Sequence, residues 1–283
     1  MTAATDSLRP VRNPSARRRR SPLRRWISRH ERLVLGMSGL IAFVAAWQVG
    51  GSLGIIDQTF FSRPTDIIAA GIAEAGTARF WGDVQASVVE FLVGYVGAIV
   101  TAIPLGLLIG WNRRLGLMAD PWLNVFIALP RVALLPLIVL WLGLGVESKM
   151  MVVFLGAFWS IIIPTVQGVR TVDRRFIDVA TSFSASRRRL FTSVVAPATV
   201  PFIVTGLRLG SARALIGVVL AEIYAQTVGL GVMIDRAADN LRGDIAVFGI
   251  LIFTVTGLLL AQALRRLENH FDRWRPSLEE EAA

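Results

Sequence analysis

The chain has no cysteine, one lysine (Lys149) and two histidines among its 283 residues. Without cysteine there are no disulfides, no thiolate nucleophile and no thiolate metal site. The histidines, His30 and His270, stand far apart in basic flanks without metal-ligand spacing, so no metal site is expected. A nucleotide-binding P-loop needs Gly-x-x-x-x-Gly-Lys-[Ser/Thr], because its lysine reaches the phosphates. Met150 follows Lys149, so the chain has no such loop and is expected to bind no nucleotide cofactor itself. Nor does the sequence present a catalytic triad or a facing carboxylate pair, and no residue is assigned a catalytic role. Charge is scarce too. Only 18% of residues are charged and 54% are hydrophobic, where a soluble domain carries about a quarter charged.

What the chain does have is repeated apolar runs near the length a helix needs to cross about 30 Å of hydrocarbon. They imply an all-α, polytopic membrane protein with about six transmembrane helices, at about 33–53, 87–110, 121–146, 150–168, 200–225 and 245–264. The expected organisation is a disordered basic tail (1–32), a first span with an outer segment (33–86), a core (87–268) holding a long loop (171–200), and a polar tail (269–283). A net charge of +10 raises the question of nucleic acid. The arginines cluster beside spans rather than on a folded basic surface, so topology and anionic membrane lipid account for them and no nucleic-acid partner is expected. Their imbalance places both termini and the loop at 174–201 in the cytoplasm.

Five ionisable residues fall within spans: Glu90, Arg131, Arg208, Arg213 and Glu222. Charges in lipid are costly and are functional candidates by default. Glu90, Arg208 and Arg213 are read first as structural, reaching an interface or bonding to backbone. Arg131 lies in a span interrupted by Pro121, Pro130 and Pro136. Broken backbone at membrane depth is tolerated only against protein or a cavity, so Arg131 is a candidate pathway residue that could meet an anion bidentately. Glu222 stands near the outer end of the fifth span, either closing an outer gate or stabilising the helix end. Gly106/Gly110 and Gly206/Gly210/Ala214 supply small residues four apart, suited to close helix packing.

The stretch 174–201, RRFIDVATSFSASRRRLFTSVVAPATVP, is patterned rather than merely polar. Phe176, Val179, Ala180 and Phe183 share one face of a short helix. Asp173 stands at its N-cap position, and Ser186 can cap a second helix beginning at Arg187. Such a helix is built to dock, on lipid or on a partner. Asp178-Val179-Ala180, then Ser184-Ala185-Ser186 after three residues, then the distant Pro197, resembles the "EAA, three residues, Gly, then Ile-x-Leu-Pro" loop of ABC-importer permeases. Asp178 falls at the family's Glu, Val179 and Ala180 at its alanines, Ser184 at its Gly and Pro197 at its Pro.

The resemblance extends over about 60–270 through Leu129-Pro130-Arg131, Gly143-Leu144-Gly145, Arg170-Thr171-Val172-Asp173, Gly206-Leu207-Arg208 and Gly229-Leu230-Gly231. In this order the motifs resemble the nitrate, sulfonate and taurine branch. The resemblance implies a permease (type I-like) fold in the bacterial inner membrane, with Phe176, Asp178, Val179, Ala180, Phe183, Ser184, Ala185 and Ser186 forming a coupling helix. It also implies partners: a pair of ATPase subunits holding ATP and Mg, a second permease copy in a homodimer, and an extracytoplasmic substrate-binding protein. The function implied is alternating-access import of a small solute, an anion such as a sulfonate, taurine or nitrate. A stand-alone secondary transporter or channel is the alternative. That class calls for midplane coupling carboxylates or inverted repeats, whereas Glu90 and Glu222 both fall near outer ends and no repeat is visible. A membrane-anchored enzyme ranks third.

Overall fold

The computed structural model describes residues 31–55, 57 and 61–272, excluding the side chains of 31–34, 131 and 269–272. The expected tails, apart from their helix-proximal ends, lie outside the described residues. Two units are distinct, divided between residues 55 and 56. The first contains α1 (Glu31–Ser52), apolar over Leu35–Ser52.

The regular elements described in the second unit are all helices. The unit comprises α2 (Pro64–Ala75), α3 (Ala78–Trp111), α4 (Arg113–Ala128), a 3-10 turn (Arg131–Leu134), α5 (Leu135–Leu142) and α6 (Val146–Arg170). It continues through α7 (Arg174–Ser182), α8 (Arg187–Leu190), a π turn (Phe191–Val195), α9 (Ala196–Ala225), α10 (Leu230–Asp239) and α11 (Gly243–Asp272). Local chemistry explains many of the boundaries. Pro64 opens α2, where its missing N–H costs nothing. Thr77 caps α3 by accepting from Phe80 N at 3.2 Å, and Asn112 caps α4 by accepting from Arg114 N at 3.0 Å.

Among the described residues, five segments are long and apolar enough to cross a membrane: those in α1, α3, α6, the α8–α9 run and α11. The sixth expected span is real but broken. α4 and α5 meet at 89°, where Pro130 and the 3-10 turn remove regular helix bonding. Packing shows that this pair carries the chain back across. Gly94 of α3 abuts Val153 of α6, Gly106 abuts Thr165 and Gly110 abuts Val169, so α3 and α6 run parallel. Parallel neighbours need a return crossing between them, and α4–α5 is the intervening chain. α9 runs antiparallel to α6, with Gly206 against Ile161 and Gly217 against Val153. α11 runs antiparallel to α9, with Glu268 beside Arg208 and Gly257 beside Leu215.

The core is where α3, α6 and α9 meet: Tyr95, Ala98 and Ala102 from the first, Val153, Ala157 and Ile161 from the second, Ala214 and Val218 from the third. Lipid is as apolar as leucine, so this association draws on close van der Waals contact between small residues rather than on escape from water. The expected glycine spacings serve that contact. A Cβ on Gly106 would stand 2.8 Å from Thr165 Cβ, and one on Gly210 would stand 2.9 Å from Ile161 Cγ1.

Several expected boundaries move. α3 begins at Ala78 rather than 87, because Thr77 caps it there. Residues 226–243, expected as a loop, contain helix α10. Lys149, expected in the outer turn between the third and fourth spans, lies within α6 and is 2% exposed.

Candidate functional site

The loop between α6 and α9 is the first candidate site. α7 begins where Asp173 accepts from Arg175 N at 2.9 Å, and it ends at Phe183. Its apolar face finds no cover among the described residues: Phe176 is 59% exposed, Val179 58% and Phe183 83%. Asp178, Ser184 and Ser186 are also exposed, while Ala180 and Ala185 are half-buried. Ser184 adopts φ +55°, the left-handed conformation that glycine takes most readily, and Ala185 N closes the turn on Ala180 O at 3.1 Å. Ser186 then caps α8 by accepting from Arg189 N at 3.3 Å. The loop is anchored at its far side. Arg187 lies 5.7 Å from the centroid of the Trp111 ring, and Phe191 packs 5.4 Å from it. Arg170 meets Asp120 at 2.8 Å, tying the end of α6 to α4.

A buried polar cluster lies at the opposite end of the core. Glu222 of α9 is 0% exposed. Its carboxylate accepts from Ser87 Oγ at 2.5 Å and from Gly231 N at 2.6 Å. Ser87 Oγ in turn accepts from Leu230 N at 2.9 Å, and Asp83 Oδ1 accepts from Gly229 N at 3.0 Å. Glu90 pairs with Lys149 and lies within electrostatic reach of Glu222. Lys149 Nζ also donates to Val228 O at 2.9 Å. Three backbone N–H groups and one carbonyl of the 228–231 turn are therefore held by side chains from α3, α6 and α9. Gly229 takes φ +141° and has no room for a Cβ, which would collide with the Glu222 carboxyl.

Sequence reasoning had singled out Glu222, Glu90 and the Gly229-Leu230-Gly231 motif separately. The structure joins them, adds Asp83 and Ser87, which the sequence did not single out, and brings in Lys149 from the expected outer turn. One signal was available: a lone lysine directly before Met150-Met151-Val152-Val153 is apolar company for an exposed charge. Arg208, expected to reach an interface or bond to backbone, instead meets a side chain, Glu268 Oε2, at 3.0 Å. Arg131 begins the 3-10 turn at the break, but its side chain lies outside the described residues. Behind that turn a cavity of about 100 Å³ is lined by residues of α5, α6 and α9, Arg213 among them.

An all-helical, multi-pass chain with an amphipathic helix exposed between two spans, and a broken span beside a cavity, has the features of a transport permease. Residues 102–274 match the binding-protein-dependent transport system inner membrane component family. The chain is 32% identical over 246 residues, 86% of its length and 89% of the relative's, to a protein of Bacillus subtilis (strain 168) named for aliphatic sulfonates transport, SsuC. It is 30% identical over 256 residues to the taurine transport system permease protein TauC of Escherichia coli (strain K12), covering 88% of this chain and 92% of that one. Its fold matches the MetNI methionine ABC transporter in an inward-facing conformation, with TM-score 0.58, 15% identity, and coverage of 66% of this chain and 93% of that one. The chain belongs to the binding-protein-dependent transport system inner membrane component family. It is the membrane-spanning permease subunit of an ABC importer, and it works with a separate ATPase subunit and a substrate-binding protein.

Proposed function

We propose that the chain imports a small anion of the sulfonate class by alternating access, as one of two identical permease copies with both termini in the cytoplasm. The substrate reading is supported by the relatives named for aliphatic sulfonates and for taurine, itself an aminosulfonate. The observation that carries the mechanism is the exposed apolar face of α7, closed off by a turn at Ser184. Phe176, Val179, Ala180 and Phe183 would seat in a groove of the ATPase, with Asp178 and Ser184 to Ser186 at the rim. ATP and Mg bind the ATPase. When its two copies close, the docked helices move with them and bias each permease towards an outward-open state. The cluster around Glu222 closes the far side between cycles by holding the 228–231 turn against α3 and α9. Arg131, at the broken span, would line the pathway.

The test is Ala180→Glu in the assembled complex. A carboxylate on the docking face would be buried at the interface without a partner, at a cost on the order of several kcal/mol. The variant is expected to reach the membrane in normal amount, yet to lose ATPase retention on co-purification and all taurine uptake. Normal retention would assign this face to lipid. Separately, wild-type proteoliposomes containing all subunits should accumulate radiolabelled taurine or ethanesulfonate. Failure with both would overturn the sulfonate assignment while leaving the docking helix untouched.

A further inference from the structure

Arg213 stands well inside the longest transmembrane run of the core, about 18 Å from the carboxyl end of α9 and about 25 Å from its amino end at helical rise. Unlike Arg208, which has Glu268, its guanidinium makes no ion pair or hydrogen bond among the described residues. Nor is it directed into the packed core. Arg213 is exposed on a stripe of α9 with Leu209, Ala212 and Ile216, on the side away from the buried Ala214 and Val218. An unpaired guanidinium at that depth is too costly to face hydrocarbon, and such residues face a bundle interior or a water-filled cavity. The cavity is present. Arg213 and Ile216 line it together with Leu135 and Ile138 of α5, beside the break between α4 and α5. Broken backbone is itself tolerated only beside protein or water. Two independent features, an unpartnered arginine and an interrupted span, thus converge on one apolar-walled space in which Arg213 is the charged side chain among the described lining residues.

We propose that Arg213 is the intramembrane anion contact of the translocation pathway, meeting the oxyanion group of the substrate as it passes the broken span. The proposal extends the anion-import reading given above. Its guanidinium offers a planar fork that matches a sulfonate or carboxylate with two parallel hydrogen bonds. No carboxylate of the chain competes for that fork among the described residues, so it is available to a passing anion.

The test does not depend on knowing the substrate. In the cysteine-free chain, Ile216→Cys places a thiol one turn from Arg213 on the same cavity wall. The assembled complex is then treated with 2-sulfonatoethyl methanethiosulfonate or with its trimethylammonium counterpart. The expected result is reaction with both reagents, with the anionic one favoured at least roughly tenfold over their ratio for a free thiol, as a cationic site concentrates anions. Arg213→Gln should abolish that preference, and Arg213→Lys should retain it. No reaction with either reagent would mean a dry contact or lipid, and would overturn the proposal. So would an unchanged ratio in Arg213→Gln. If Arg213→Gln fails to assemble, the ratio in the Arg213 background against the free thiol decides alone. A complex that shows the charge preference but transports neither taurine nor ethanesulfonate would keep Arg213 in the pathway and discard only the sulfonate assignment.

Discussion

Lys149 illustrates how much of a membrane protein is decided by single side chains that meet across long sequence separations. The ammonium is 2% exposed, pairs with Glu90 and reaches Val228 O. Removing one member of a buried ion pair leaves an uncompensated charge, which typically costs about 3–5 kcal/mol, whereas replacing both by apolar groups of similar volume is often neutral. Lys149→Met alone is therefore expected to lower the thermal unfolding midpoint sharply in detergent. Glu90→Leu combined with Lys149→Met should recover most of the loss. Additive losses in the double variant would mean that the pair is not the energetic unit. Lys149 was misplaced from sequence because a charge at the end of an apolar run resembles a flank, and burial depends on what packs there from α3. Glu222 shows the same difficulty. Its position near a helix end was legible, but its partners Ser87 and Gly231 belong to elements that only the fold brings together.

At the scale of elements, α7 was legible because its information is local. An i, i+3, i+4, i+7 stripe, an aspartate cap and a serine break lie within a dozen or so residues, and each acts on its immediate neighbours. The broken span was legible for a related reason, since proline acts on its own turn. α10 was not, because Gly229-Leu230-Gly231 reads as a loop motif. In the structure the acceptors on α3 and α9 satisfy the turn's backbone and allow a helix to start at Leu230. The turn that ends α7 gives a test at this scale. Ser184 holds φ +55°, which a β-branched side chain adopts poorly. Ser184→Gly should preserve ATPase retention and uptake fully, because glycine enters this conformation without a Cβ penalty. Ser184→Val should weaken both, and equal retention by the two variants would show that the turn's geometry is not what presents the helix.

For the whole molecule, the order of crossings follows from packing alone. α3 and α6 run parallel, the α4–α5 pair returns between them, and α9 and α11 alternate thereafter. The loop between α6 and α9 and the turn after α9 therefore lie on opposite sides of the membrane, whichever side each faces. The proposed orientation, drawn from the arginine distribution, puts the basic flanks and Arg174, Arg175 and Arg187 to Arg189 on the cytoplasmic side. The absence of cysteine allows a direct measurement. Gly229 is a poor reporter, since any Cβ there strikes Glu222. Asn240, exposed at the end of α10, is a better one. Ser184→Cys should react with a membrane-impermeant maleimide only in inside-out vesicles, and Asn240→Cys only in right-side-out vesicles. Reaction of both from one side would contradict the single crossing by α9 and with it the order of spans. The reverse pattern would keep that order and invert the chain, placing the α7 face on the side opposite to ATP and removing it as the site of ATPase docking.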